Sequence, residues 1–569
     1  MSSASGQPTF AELYTPKLIT VLREGYGLPD LKADLIAGMT VAVVALPLSM
    51  AIAIASGVTP DRGLYTAIVG GFVVSALAGS RFQIGGPAGA FIVLVAATAA
   101  QHGVDGLILA TLLSGIILLA AGFLRLGTFI KFIPYPVTVG FTAAIALIIF
   151  ASQLKDLLGL RLAAPEPGAL VPKLEALWSA HATLSVPTVA LAGLTMACVV
   201  LLRRFRPHWP AFLIGVIVAA VLTWRLQLPV ETIGSRFGGI PRSLPSPHLP
   251  AWSFAMLADV LPAALSFALL GGIESLLCAV VADSMTGRRH RSNAELVGQG
   301  AANIASALFG GFCVTGTIAR TATNVRAGAR GPLSGMIHAV FLLLFLLVAA
   351  PLASFIPLAA LAAVLCTVAW NMAEKHQFVT LLRASFGDAL VLMATFLLVV
   401  FRDLTQGILV GFGLGVLLFL HRMAQAVEVE RPGFTVEADV ADAANGQRRR
   451  YDAALATDPD VIIYRISGAF FFGAAATVAA ALDRIGEHPK AYVIDFSAVP
   501  LIDSTAAATI EGFMRKAHRQ NVALYITGAS TAIREVLTAQ GVGSPRAQFM
   551  ATVAEALAHR HARGEVGER

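Results

Sequence analysis

Long apolar runs recur along the chain, each bounded by charges or by Gly and Pro. They begin near Leu35, Gly63, Pro87, Gly106, Thr128, Thr183, Pro210, Phe254, Ala294, Gly316, Pro332, Ala353, Phe386 and Leu404. About 20 apolar residues in a helix cross a hydrocarbon core of about 30 Å, so the pattern predicts a bundle of membrane spans. Two runs are broken at membrane depth. GGPAGAFIVLVAATAA (residues 85–100) and GGFCVTGTIARTATNVRAG (residues 310–328) each open on a double glycine, and the second adds hydroxyls and two arginines. Interrupted backbone at that depth is tolerated only where protein or a water-filled cavity receives its polar groups. Paired, Gly/Pro-broken half-helices in corresponding places mark a transporter's binding site. Their free N–H groups and positive dipole ends would face the cavity, so the expected ligand is an anion.

The broken segments start at Gly85 and Gly310, and the first spans of the two halves near Leu35 and Phe254, at nearly the same separation. Seven spans per half is an odd number, so the second half inserts upside down. That gives an inverted repeat, an architecture that supports alternating access. After His421 and Arg422 the character changes: ERPGF at residues 430–434 and NGQRRRYD at 445–452 read as linker and surface loop. VIIYRI (461–466), AYVIDFS (491–497) and VALYITG (522–528) then read as buried strands, with helical patterns from Ala474, Ser504 and Ser530. The expected division is a polar N-terminal segment at 1–33, a transmembrane domain at 34–424, and a linker with an α/β domain at 425–569.

Composition agrees: 56% of the residues are hydrophobic and 13% charged, and mean hydropathy is +0.75, which excludes a soluble protein of this size. The net charge of +7 would suggest nucleic acid in a soluble protein. Here the basic residues cluster between spans, as in RRFR (203–206) and GRRHRS (287–292), so they read as topology signals and no nucleic-acid partner is expected. The N-terminal stretch is polar and has no secretory h-region, so the N-terminus is expected to stay in the cytoplasm, with the C-terminus on the same side. Cys198, Cys278, Cys313 and Cys366 lie in apolar stretches without CxxC or Cys/His spacing, so no disulfide framework, metal or cofactor is expected. No nucleotide-binding motif accompanies the spans, which disfavours direct ATP-driven pumping, and no enzymatic activity is expected.

Glu274 is the only charge in SFALLGGIESLLCAVVAD before its cytoplasmic end. A carboxylate at that depth costs about 2.5–3.5 kcal/mol on an insertion scale, so it should face a cavity or the bundle interior, as a coupling group or as an interhelical hydrogen-bonding partner. It borders a small-residue face made by Gly271, Ser275, Cys278 and Ala282. Arg320 follows the second broken end by one turn, where a guanidinium either grips an oxyanion in bidentate fashion or ion-pairs with a carboxylate such as Glu274. Thr315, Thr317 and Thr321 could add hydroxyls, though helical Thr also bonds its own preceding turn. Gly89 and Gly316 would admit close backbone approach to the anion. Ser49, just after Pro47 in the first span, is either a ligand-facing hydroxyl or a satisfied Ser at an ordinary kink. Asp34, Asp283, Asp388 and Asp403 stand near span ends and read as interfacial, and Glu295 is ambiguous. In PLIDSTAAATIEGF, Asp503, Ser504 and Thr505 sit between strand and helix, as an N-cap or as a regulatory phosphorylation site.

On GGIESLLCAVVADSMTGRRHRSNAELVGQGAANIASALFGG, TGTIARTATNVRAGARGPLSGMIH and IDFSAVPLIDSTAAA, the chain resembles the SulP (sulfate permease) family of anion transporters, with a C-terminal STAS domain. The resemblance implies a polytopic α-helical membrane protein with 14 transmembrane segments, built as 7+7 inverted repeats with uracil-permease-like core and gate domains, and a cytoplasmic α/β STAS domain. It implies a bacterial inner-membrane location, lipid contact, a homodimer, and a cytoplasmic protein partner for the STAS domain. Its site would comprise Ser49, Gly86, Gly89, Ala90, Gly316, Thr317, Ile318 and Arg320 for the substrate, with Glu274 for the proton. The GGIESLLCAVV stretch is similar to the bacterial dicarboxylate-carrying branch, which leaves sulfate, C4-dicarboxylates such as succinate and fumarate, and bicarbonate as substrates. Sodium-coupled members have Asp and Thr where this chain has Glu274 and Cys278; sodium wants several hard oxygen ligands, so proton coupling is the expectation. A membrane sensor signalling through STAS is the rival from another class.

Overall fold

The computed structural model describes residues 9–130, 134–164, 166–206, 209–402, 404–430, 460–483 and 489–564. Asp403 and the stretches 431–434 and 445–452 lie outside the described residues. By internal contacts the chain divides into Met1–Gly413 and Leu414–Arg569.

Eight helices of the described residues have the length and composition to cross a membrane, seven in the first unit and one, Gln406–Gln425, that runs past its end; Ala211–Leu226 and Phe386–Phe401 are shorter apolar helices. The helices sort into two packed sets. One joins Leu28–Ala55, Gly71–Leu77, Ile92–Phe123, Phe254–Thr286, Ser292–Leu308 and Leu333–Ala353; the other joins Tyr135–Leu158, Val186–Phe205, Ala211–Leu226, Leu358–Met372 and Phe386–Phe401. Together with the order of the spans this is the polytopic helical architecture expected from the sequence. Several boundaries moved. The spans placed from Pro87 and Gly106 are two helices within Ile92–Phe123 that meet at a kink at Gly103, whose φ of 70° a side chain would resist. The span placed from Thr128 begins at Tyr135, after a short turn Gly127–Ile130, and that placed from Ala353 begins at Leu358, behind Pro357.

The two broken segments meet. Strand β1 (Gly85–Gly86) pairs antiparallel with β2 (Thr315–Gly316), Gly85 opposite Gly316 and Gly86 opposite Thr315. Each strand then feeds a helical start, Gly89–Phe91 in one case and Ile318–Arg326 in the other. This pairing satisfies backbone groups that hydrocarbon could not. The second span carries a π-helical turn, Thr66–Gly70, beside the crossing; there Thr66 Oγ1 accepts from the Phe312 amide at 2.9 Å.

Asp34, read as interfacial, is fully buried. Its Oδ1 accepts from the amides of Arg330 (2.6 Å) and Gly331 (3.1 Å), and its Oδ2 from the Tyr26 hydroxyl (2.6 Å). The sequence could not show that the chain returns over this carboxylate.

The second unit holds a five-stranded sheet in the order β3-β4-β5-β6-β7, comprising Glu428–Glu430, Val461–Ser467, Ala491–Ala498, Ala523–Thr527 and Gln548–Met550. Only β3 is antiparallel to its neighbour. The middle strands match the apolar runs read from the sequence. The edge strands β3 and β7 are three residues each, too short to show a period. Helices Phe472–Asp483, Ser504–Arg519 and Thr531–Ala539 pack apolar side chains such as Ile510, Met514 and Leu537 into the core with the sheet residues Ile466, Ile494 and Ile526.

Candidate anion-binding site

Arg320 is 1% exposed and its guanidinium lies behind the strand crossing. Nη2 donates to Ser49 Oγ at 3.2 Å and to the Pro87 carbonyl at 3.3 Å, so one group ties the first span to both half-helices. Nε and Nη1 have no hydrogen-bond partner. No ion pair with Glu274 exists among the described residues, so of the two sequence readings of Arg320 the structural pair with Glu274 is absent. A buried cation without a carboxylate partner leaves an anionic ligand as its natural counter-charge.

Small residues make room for this group. A Cβ on Gly86 would overlap Arg320 Nη1, and a Cβ on Gly316 would overlap the Gln83 side-chain amide. The absence of a side chain at Gly316 therefore accommodates Gln83, a protein neighbour. At Gly89 a Cβ would meet only the ends of Ile149 and Met372, at 3.3 and 3.4 Å. Thr317 Oγ1 donates to the Ile84 carbonyl at 3.1 Å, and Thr321 Oγ1 accepts from the Ile84 amide at 3.0 Å, so both hydroxyls hold the crossing together. Ile318 is 39% exposed and Ala90 buried. The first-turn amides of Ile318–Arg326 have no intrahelical acceptor, which gives this end a partial positive charge.

Glu274 stands on Phe254–Thr286, the helix that packs on β2 and on Ile318–Arg326. It lies one turn from Gly271, whose carbonyl accepts from Thr315 Oγ1, and one turn from Cys278, whose Sγ donates to Thr321 Oγ1 at 3.1 Å. Its Oε2 is buried without a partner. The crossing thus gathers Ser49, Gly86, Gly316, Thr317 and Arg320, with Glu274 on a neighbouring helix. Ser504 and Thr505, in the other unit, are exposed at the start of Ser504–Arg519. The Asp503 carboxylate caps that helix, accepting from the Ala506 amide at 2.8 Å and from the Phe472 amide at 2.9 Å.

The sequence reading missed Gln83, Gln299 and Asn303, and left Glu295 open. All four are buried beneath β2. A signal existed: Glu295, Gln299 and Asn303 recur every fourth residue in NAELVGQGAAN, a polar stripe on one helix face.

Comparison with known proteins agrees with this architecture. The sequence model of the sulfate permease family matches residues 31–395, and that of the STAS domain residues 452–556. YvdB of Bacillus subtilis, provisionally named a sulfate transporter, is 39% identical over 91% of this chain and 95% of its own. The bicarbonate transporter BicA of Synechocystis is 31% identical over 88% of this chain and 89% of its own. The structure of murine Solute Carrier 26 family member A9 shares the fold, with a TM-score of 0.84 at 17% identity, covering 99% of this chain and 96% of that one. The chain belongs to the sulfate permease family: it is a multi-pass membrane anion transporter, not an enzyme, with a STAS domain at its C-terminal end.

Proposed function

We propose that this transporter moves sulfate or a related inorganic anion by alternating access, coupled to protons through Glu274. The supporting observation is Arg320: a fully buried guanidinium held at one nitrogen by Ser49 and Pro87, with two nitrogens unpartnered. The substrate would lie at the start of Ile318–Arg326, between Gly86, Gly89 and Ala90 on one side and Gly316, Thr317 and Ile318 on the other. A proton on Glu274 would remove a negative charge from the anion's neighbourhood, so that anion and proton reorient together. Ser504 and Thr505 would modulate transport from the STAS domain, through a cytoplasmic protein partner, in a homodimer with cytoplasmic termini. The protein would then reside in a bacterial inner membrane.

Uptake of labelled sulfate into proteoliposomes, with and without an imposed inward proton gradient, tests both parts. Gradient-driven accumulation is expected. Uptake that ignores the gradient would remove the coupling, and inhibition by succinate, fumarate or bicarbonate in place of unlabelled sulfate would reassign the substrate.

A further inference from the structure

Beneath β2 the hydrogen-bonding groups are one proton short. Gln83 Nε2 donates to Ser275 Oγ at 2.7 Å. Ser275 Oγ stands 2.9 Å from Glu295 Oε1 and 3.2 Å from Gln299 Oε1, yet a hydroxyl has a single hydrogen to give. The Gln299 amide is fixed in orientation because its Nε2 donates to the Val314 carbonyl. Gln83, Ser275, Glu295 and Gln299 are all at most 3% exposed, so bulk solvent does not reach them. Glu295 Oε2 has no partner, and among the described residues no Lys, Arg or His pairs with this carboxyl. The amides of Gly79 and Ser80 lie close enough to the Glu295 carboxyl to act on it as donors, though neither reaches Oε2 with good hydrogen-bond geometry.

An ionised Glu295 would be a fully buried charge held by the Ser275 hydroxyl and two poorly aligned amides, with no cation paired to it, an arrangement that is unfavourable. One added proton resolves each contact of Ser275 Oγ at the distances already present. Glu295 Oε1–H then donates to Ser275 Oγ, whose own hydrogen turns to Gln299 Oε1, while Ser275 keeps accepting from Gln83. We infer that Glu295 works protonated, as a positioning residue that holds Gln83 and β2 in place beneath the anion site. The chemistry is proton binding at a second buried carboxyl, distinct from Glu274, and its effect on the anion rests on the site proposed above.

The titratable groups around Glu295 are few. Cys278 and Asp283 face it from Phe254–Thr286, and Glu274 lies on the same helix, one turn from Cys278. Arg291 lies one turn earlier and is engaged by the Thr15 carbonyl and Thr20 Oγ1. Arg81 follows Gly79 and Ser80 in the loop and pairs with Glu24. Tyr14, on the N-terminal helix that packs on Ser292–Leu308, bonds the Gly122 and Phe123 carbonyls. On Ile92–Phe123 the titratable residues are His102 and Asp105, near Gly103. None neutralises an ionised Glu295.

The test is sulfate binding to the purified full chain across neutral to alkaline pH, where sulfate keeps a constant charge. In Glu274→Gln protein, where that carboxyl no longer titrates, affinity should fall as pH rises and Glu295 ionises. Glu295→Ala should bind at least about tenfold more weakly at neutral pH, the scale of one lost buried hydrogen bond. Glu295→Gln, whose amide donates as the protonated carboxyl does, should rescue that loss and, combined with Glu274→Gln, abolish the alkaline decline. A Gln variant no better than Ala, or a double variant that keeps the decline, overturns the inference. Infrared difference spectroscopy decides without transport or folded variants at this position. In Glu274→Gln protein a protonated-carboxyl band should remain at neutral pH, and its absence would overturn the inference even if sulfate is not the substrate.

Discussion

Arg320 lies against Gly86 so closely that a Cβ on the glycine would overlap Nη1. Gly86→Ala should therefore push the guanidinium off Ser49 and Pro87 and weaken sulfate binding by about tenfold or more. Gly89→Ala should have a smaller effect, because its Cβ would meet only flexible side-chain ends. Sulfate-dependent thermal shifts of the two variants check this; equal losses at both positions would detach Gly86 from the guanidinium's placement.

Arg320→Lys should be nearly as damaging as Arg320→Ala. A single ammonium that bonded Ser49 Oγ and the Pro87 carbonyl would keep one N–H for an oxyanion, where the guanidinium keeps a planar fork. Ser49→Ala removes one acceptor and should weaken binding less, by about threefold to tenfold. Titration calorimetry at several pH values should show the Arg320 losses unchanged with pH; full affinity in the Lys variant would make the group a space-filling cation.

Glu274→Gln mimics the protonated carboxyl at the partly buried position beside Cys278. Exchange of labelled for unlabelled sulfate should continue, while acceleration by an inward proton gradient should disappear. A Gln variant that still concentrates sulfate in response to the gradient, as wild type does, would make Glu274 a structural carboxyl.

Asp34 receives two amide donors and a tyrosine hydroxyl, tying the first span to the loop after Ile318–Arg326. Asp34→Asn replaces one oxygen with a donor and should cost about 1–3 kcal/mol, whereas Tyr26→Phe, which removes one bond, should cost about 0.5–1.5 kcal/mol. Thermal unfolding in detergent gives the order; a larger effect from Tyr26→Phe would contradict the weight placed on the backbone bonds.

Asp503→Ala should destabilise the second unit by about 1 kcal/mol, because the carboxylate caps Ser504–Arg519 and also holds the Phe472 amide. Sulfate affinity should not change. Chemical denaturation followed alongside binding separates the two, and a parallel loss of affinity would link this helix start to the anion site.

What the amino-acid order alone determined was the succession of spans, their inverted relation, the two broken half-helices and the change to an α/β domain. Each follows from local periodicity and from the requirement that hydrocarbon leave no backbone group unsatisfied. It also singled out Arg320 and Glu274, since a lone charge in an apolar run is conspicuous without coordinates. Tertiary structure decided the partners. That Gly85 pairs with Gly316, that Arg320 turns to Ser49 and Pro87 and not to Glu274, and that Asp34 is an interior tie depend on residues far apart in the chain. Gly86 and Gly316 look alike in the sequence, yet one accommodates a guanidinium and the other the Gln83 amide. The proton shortage beneath β2 was equally hidden, because it arises only when Glu295 and Gln299 meet the one hydrogen of a Ser275 hydroxyl that also accepts from Gln83, residues of three segments.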